Sequence, residues 1–552
     1  MCPRSMIGMV ICACAPLTAL FAQSGSPDEQ STYVSKVWVA DKGNGTYTNP
    51  VLYADYSDPD VIRVGADYYM TASSFNCTPG LPILHSKDLV NWSIVGHALK
   101  KQFPVDHYKV PRHGDGCWAP CLRYHSGQYY IYWGDPDFGI YMVHTDDPAG
   151  TWSDPVLVLE GKGLIDPSPL WDDDGKVWLV HGWAGSRAGV NSLLTVNRLS
   201  DDGARALDEG KHVFDGHDAH PTIEGPKFYK RDGYYYIFAP AGGVSTGWQL
   251  AMRSKDIYGP YEVKIVLEQG RSDVNGPHQG AWIETPEGAS WFMHFQDREA
   301  YGRIVHLQPM TWLDGWPVIG EDKDGNGIGE PVRTHAKPIV DGKIQVCTPQ
   351  ESDEFDTDVL GLQWQWHANP MVTWSALMRG AGYLRLFPMA LPDDSKNFWL
   401  APNLLLQKFP ASDFSATTKL KWSPDPDNRE GRQAGLMIMG NDYAYLAISM
   451  DEKGYKLSQV VCKNARAGTA ETAVAEQRLS GDSVFLRVRV SGPDGQCQFS
   501  WSADGKSYTP IGDAFQSKPD TWIGAKVGLF CMAPAKARRG GFADFDWFRV
   551  EK

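Results

Sequence analysis

Three carboxylates stand in settings that could do chemistry: Asp58 before Pro59, Asp166 in Ile165-Asp166-Pro167-Ser168, and Glu224 before Gly225-Pro226. Carboxyl groups working as a pair can split a glycosidic bond with water. One protonates the leaving oxygen, and the other activates water or attacks the sugar. A single Asp-Pro or Glu-Gly-Pro is ordinarily a turn. These three are set apart by recurring in phase with a larger repeat.

Between about 45 and 345 a Gly- or Asp-bearing turn leads five times into a β-prone aromatic strand: Asp67-Tyr68-Tyr69, Gln128-Tyr129-Tyr130, Lys176-Val177-Trp178, Tyr234-Tyr235-Tyr236 and Ser290-Trp291-Phe292. The starts lie roughly 50 to 60 residues apart, the size of a four-stranded propeller blade. Five units predict five blades; an irregular β-sandwich is the alternative. If each aromatic strand is second in its blade, the segments upstream open the innermost strands. Asp58, Trp118, Asp166, Glu224 and His278 would then converge at one mouth of the channel. Asp166 and Glu224 fall on neighbouring blades, with Asp58 across from them. Like charge and desolvation raise a carboxyl's pKa, so Glu224 beside Asp166 is expected to serve as general acid. Asp58 would act as base on water. A gap of roughly 6.5–9.5 Å between acid and base predicts inversion at the anomeric carbon, and about 5–5.5 Å predicts retention.

The run from Asn49-Pro50-Val51-Leu52 to Asp58-Pro59-Asp60-Val61-Ile62, with Asp67-Tyr68-Tyr69, resembles the opening of glycoside hydrolase family 43. Trp118-Ala119-Pro120, Ile165-Asp166-Pro167-Ser168, Glu224-Gly225-Pro226 and Gly302-Arg303 extend the resemblance over the whole propeller. It implies an inverting mechanism with Asp58 as general base, Asp166 as the residue that tunes and orients, and Glu224 as general acid. Asp60 departs from the pattern, because many members carry Ser there. Residues two apart on a strand share a face, so Asp60 competes with Asp58 for the base role. The resemblance also implies that Phe75 walls the sugar pocket, Trp118 stacks on the sugar, and Arg303 donates to its hydroxyls. His278 is expected at the substrate, or beside a water-ligated Ca²⁺ or Na⁺ in the channel. No cofactor is required for the chemistry.

Other candidate sites read as structural. Asp322-Lys323-Asp324-Gly325-Asn326-Gly327 looks like half an EF-hand loop, but Arg333 occupies the twelfth position, where Glu is needed. Cys117 and Cys121 have no second Cys or His pair at zinc spacing. Ten cysteines, three of them in the first fourteen residues, make no disulfide framework.

From Asp353 onward short alternating strands follow, such as Val484-Phe485-Leu486-Arg487-Val488-Arg489-Val490, separated by turns such as Pro493-Asp494-Gly495. They predict a β-sandwich over 350–552 (jelly-roll, concanavalin-A-like), so the fold class is all-β. The segment resembles the C-terminal domain of the family's β-xylosidases, which implies a loop lent to the pocket rim and exo action. Its closing Ala543-Asp544-Phe545-Asp546-Trp547-Phe548 is a candidate structural calcium site.

Arg4 followed by the apolar run Ile7 to Ala22 reads as a secretory signal over 1–22, with a lipoprotein site at Cys14 as the alternative. Residues 23–44 read as a linker or N-terminal segment, and 45–345 as the catalytic propeller. The net charge of −14 argues against nucleic acid and against an anionic membrane surface. The expected protein is a secreted or periplasmic bacterial exo-glycosidase releasing terminal β-D-xylose from xylooligosaccharides or xylan. An α-L-arabinofuranosidase using the same site is the nearest alternative. A retaining propeller glycosidase, an endo-arabinanase and a catalytically dead sugar-binding propeller stand further off.

Overall fold

A computed structural model describes residues 32–552 except positions 379, 394, 426, 428, 429, 538 and 539. The expected signal segment and Cys14 lie outside the described residues. Five four-stranded antiparallel sheets follow one another along the chain. Blade 1 runs from Asp60–Val64 to Trp92–Leu99, blade 2 from Trp118–His125 to Val156–Glu160, and blade 3 from Leu164–Trp171 to Lys211–Asp215. Blade 4 runs from Lys227–Arg231 to Glu262–Leu267, and blade 5 from His278–Glu284 to Trp316–Ile319. In every blade the aromatic strand is second, as the repeat predicts. Those strands bury what makes them β-prone: Tyr68, Met70, Ile131, Leu179, Ile237 and Phe292 sit between neighbouring blades.

Each blade is one continuous stretch of chain, so no strand from one end completes a blade at the other. Closure falls to a two-stranded sheet of Thr46–Thr48 against Thr334–Ala336, outside the blades. The segment leading to Asp58 then lies along blade 5. Leu52 bridges Val305, and Asn49 holds Leu307 through Nδ2 to its carbonyl at 2.8 Å and Oδ1 from its N–H at 2.8 Å.

The second unit is a sandwich of two mainly antiparallel sheets. In Ser483–Ser491, Val484, Leu486, Val488 and Val490 are buried while Arg489 is exposed, the alternation of a sheet with one wet face. The seven described cysteines form no disulfide among themselves, and all are buried. Cys117 Sγ donates to Gln102 Oε1 and Cys121 Sγ to Ser168 Oγ, so the two thiols serve different neighbours. Asp322 accepts the N–H groups of Asn326 and Gly327, and Asp324 pairs with Arg271, which makes that acidic loop a turn.

Candidate active site

The channel mouth is built from a backbone irregularity repeated five times. Asp58, Ala119, Asp166, Gly225 and Gln279 have φ of 54°, 34°, 56°, 55° and 37°. A left-handed residue other than glycine costs about 1–2 kcal/mol, and such strain gathers at functional sites. In blades 2, 3 and 5 the pairing of the innermost strand slips here, between Trp118 and Cys121, Ile165 and Ser168, and His278 and Gly280. A bulge of this kind re-aims a side chain. The left-handed residue, with a bulge in blade 3 and without one in blade 1, brings Asp58 and Asp166 into the mouth at equivalent positions. Trp118, Glu224 and His278, expected on the same ring, each stand one residue before it.

Asp58 is buried and surrounded by donors. Its Oδ2 accepts from Ser57 Oγ at 2.8 Å and Ser73 Oγ at 2.5 Å, and its Oδ1 accepts from Arg303 Nη1 at 2.8 Å. Ser73 Oγ in turn accepts the Ala119 N–H at 2.7 Å, which ties blade 1 to blade 2 at this point. Asp60 does not share the site. Its Oδ2 accepts from the Leu122 N–H at 2.6 Å and Arg123 Nη1 at 2.8 Å, between the blades. The face-sharing rule fails because Asp58 is left-handed and precedes the strand.

Asp166 is buried, and its Oδ2 accepts the Gly225 N–H at 2.7 Å. Burial first, then the like charge of Glu224 and of Asp58, push its carboxyl well above the ordinary range. The upward shift thus falls on Asp166, the acid that is closed off from water. Glu224 is partly open to solvent, with Oε1 3.2 Å from His278 Nε2. His278 is fully buried behind Glu224 and does not line the pocket. This corrects its expected substrate contact: the kink sends the next residue, Gln279, into the mouth instead.

The pocket holds about 570 Å³. Asp58, Asp166, Glu224 and Arg303 share its walls with Phe75 and Trp118. Phe75 is buried and edge-on to Trp118, ring centroids 6.3 Å apart. Trp118 is fixed by its Nε1 donating to Gly114 O at 2.7 Å. Sequence reasoning missed Gln279, Trp183, Asn191 and Trp522. Gln279 was legible as the blade-5 counterpart of Asp58. Trp522 was not, because it reaches the pocket from the sandwich, 6.0 Å from Trp118.

The expected ion sites differ in fit. His278 Nδ1 is buried without a hydrogen-bond partner among the described residues. A water on a channel Ca²⁺ or Na⁺ would satisfy such an atom, so the channel fits to that extent, and no step of the chemistry runs through the ion. The sandwich motif does not fit. Asp544 is held by Arg385 Nε and Nη2 at 2.7 and 2.9 Å, and Asp546 pairs with Lys419 Nζ at 2.5 Å. Calcium takes six to eight oxygens, and these two carboxylates are already neutralised by cations.

Residues 47–317 match the model of glycosyl hydrolases family 43, and residues 352–551 that of the beta xylosidase C-terminal concanavalin A-like domain. A beta-xylosidase of Formosa agariphila is 34% identical over 98% of this chain and 98% of its own. The non-reducing end alpha-L-arabinofuranosidase BoGH43B of Bacteroides ovatus is 28% identical over 91% of this chain and 94% of its own. The crystal structure of xylan beta-1,4-xylosidase from Bacillus halodurans C-125 superposes with a TM-score of 0.80 at 27% identity, covering 92% of this chain and 100% of that one. The three acids of the mouth thus sit in an O-glycosyl hydrolase, and the chain belongs to glycosyl hydrolases family 43.

Proposed function

We propose that the protein is a secreted, inverting exo-glycosidase that removes terminal β-D-xylose from xylooligosaccharides and xylan. The observation that carries this reading is the shared pocket: Asp58, Asp166 and Glu224 lie with Trp118 and with Trp522 of the sandwich around one space of about 570 Å³. A wall supplied by the second domain narrows the mouth and favours a chain end over a chain interior. The β-xylosidase relatives that run the length of both domains support the sugar.

In this mechanism Asp58 takes a proton from a water whose oxygen bonds to the anomeric carbon. The bond from that carbon to the leaving oxygen breaks, its electron pair staying on the oxygen. Glu224 gives that oxygen its proton. Water and leaving group lie on opposite faces of the sugar, so the configuration inverts. Arg303 holds Asp58 in place, and Asp166 fixes the Gly225 backbone beside Glu224.

A second reading, release of terminal α-L-arabinofuranose, is favoured by the arabinofuranosidase relative. The test compares an aryl β-D-xyloside with an aryl α-L-arabinofuranoside, following the released anomer by proton NMR. Faster xyloside cleavage giving α-xylose first is expected. Faster arabinoside cleavage selects the second reading; β-xylose first sinks inversion. Cleavage of neither points to a binding protein, to be tested by calorimetry with xylobiose.

A further inference from the structure

The sandwich loop 520–524 carries Trp522 to the pocket and is fastened to the propeller at both ends. At one end Gly524 N donates to Asp55 Oδ2 at 2.8 Å, while Asp55 Oδ1 accepts the Arg303 N–H at 2.9 Å. At the other end Asp520 Oδ2 lies 2.5 Å from Nδ1 of His113, on the propeller loop before blade 2. Both side chains are nearly closed to solvent, at 5% for His113 and 8% for Asp520.

The other nitrogen of His113, Nε2, is 2.7 Å from the Trp399 carbonyl. Both ring nitrogens thus face oxygen acceptors, an arrangement that only the doubly protonated, charged ring satisfies in full. It lies flat on Trp399, centroids 3.5 Å apart at 8°. Burial works to raise the Asp520 carboxyl, but the facing His113 with its hydrogen bond, and the Thr521 N–H, hold it below its usual range. The third group here, His367, stands perpendicular to His113 at 4.6 Å and bonds the Ala401 carbonyl through Nδ1. Burial first, then the His113 charge, push it down to about 3, so it stays neutral.

His113, His367 and Asp520 are close enough together to be weighed as a metal site. A nitrogen and an oxygen 2.5 Å apart share a proton. Two ligands of one zinc, each bonded at about 2.0–2.1 Å in a tetrahedron, stand about 3.4 Å apart. The ion pair is the better description.

The rest of the His113 loop serves the same wall. Gly114 has a φ of 78°, and a Cβ there would stand 2.5 Å from Thr521 Cγ2; its carbonyl holds Trp118. Asp115 pairs with Arg187 at 2.6 Å, and Arg187 lies over the Trp118 ring at 5.8 Å.

We infer that His113 is a positioning residue: its buried ion pair with Asp520 latches the sandwich loop to the propeller and fixes Trp522 at the sugar. This rests on the exo-glycosidase reading above.

The full-length chain tests it. His113→Gln should raise KM for the aryl xyloside about three- to tenfold, the scale of one aromatic contact, with kcat changed less than about twofold. Trp522→Ala should do the same. The double variant should be no worse than Trp522→Ala alone, because a latch has nothing left to position. Additive effects, or an unchanged KM in His113→Gln, overturn the proposal. Asp520→Asn stands in if His113→Gln does not fold. Hydrogen exchange of the 519–525 peptide should rise in either variant, and unchanged exchange also overturns it. That readout is independent of turnover, so a wild type that cleaves neither glycoside fails the functional reading while exchange still judges the latch. A melting temperature lowered by EDTA and restored by Zn²⁺ would make the trio a metal site and end the ion-pair account.

Discussion

Glu224 meets solvent with about a third of its side chain while Asp166 is closed off, and that difference divides their work. A general acid must reach the leaving oxygen and be reprotonated from water; a buried neighbour can only shape its surroundings. Glu224→Gln should lower kcat on xylobiose by about 10²–10⁴, the usual share of a general acid. On an aryl xyloside with an acidic phenol the loss should be much smaller, since that phenolate leaves unaided. Steady-state rates on the two substrates check this. Asp166 and Glu224 repel one another when both are ionised, so the pair gives up its last proton reluctantly; Asp166→Asn leaves a single acid, which should release its proton more easily. The alkaline limb of the pH–rate profile should move to lower pH, and an unmoved limb would leave Asp166 an orienting role only. These three acids were legible in the sequence because each precedes a Pro or Gly-Pro in step with the blades. His278 was misjudged by one residue: the kinked position is the one directly before the Pro or Gly, which in blade 5 is Gln279. Trp522 was illegible because a single exposed-looking Trp between strands of a distant domain has no periodic partner.

Among the elements, the propeller strands were easy to read, as their aromatic, β-branched runs agree with their burial. The segment 23–44, expected as a linker or N-terminal segment, is bonded to the rest of the chain where it is described. Ser35 N donates to Thr348 Oγ1 at 2.7 Å, and Thr348 N to Tyr33 O at 2.9 Å. Its polar composition hid these bonds to a segment far along the chain. Glu351 lies in this joint, and burial pushes its carboxyl up to about 7. An acid raised in the fold stabilises it below the unfolded value, near 4.5, and that contribution is lost as pH rises through 7. Glu351→Gln, fixed in the neutral form, should therefore match the wild type at pH 4. At pH 8 it should be more stable by about 1–3 kcal/mol. Urea unfolding at the two pH values measures the difference.

Across the whole molecule, propeller and sandwich are joined by buried hydrogen bonds. Asn369 exchanges bonds with Gln102 at 2.7 and 3.0 Å, Asn76 Nδ2 donates to His367 O at 2.8 Å, and Gln365 Nε2 donates to Pro79 O at 2.9 Å. Separation would strand each buried partner at about 1–3 kcal/mol. Scanning calorimetry should therefore show one transition for both domains, and two resolved peaks would mean that they melt independently. A chain cut near 345 should be poorly soluble for the same reason. Finally, the propeller is fastened like a bracelet, with the clasp between its first and last links. Asp58 belongs to blade 1 and Arg303 to blade 5, so the bond that orients the water-activating carboxylate spans the clasp. Warming that eases the clasp by a fraction of an ångström would separate the two before any link is damaged. Activity is therefore expected to fall on warming before the fold melts and to return on cooling, which rate assays and circular dichroism followed over one temperature ramp would check.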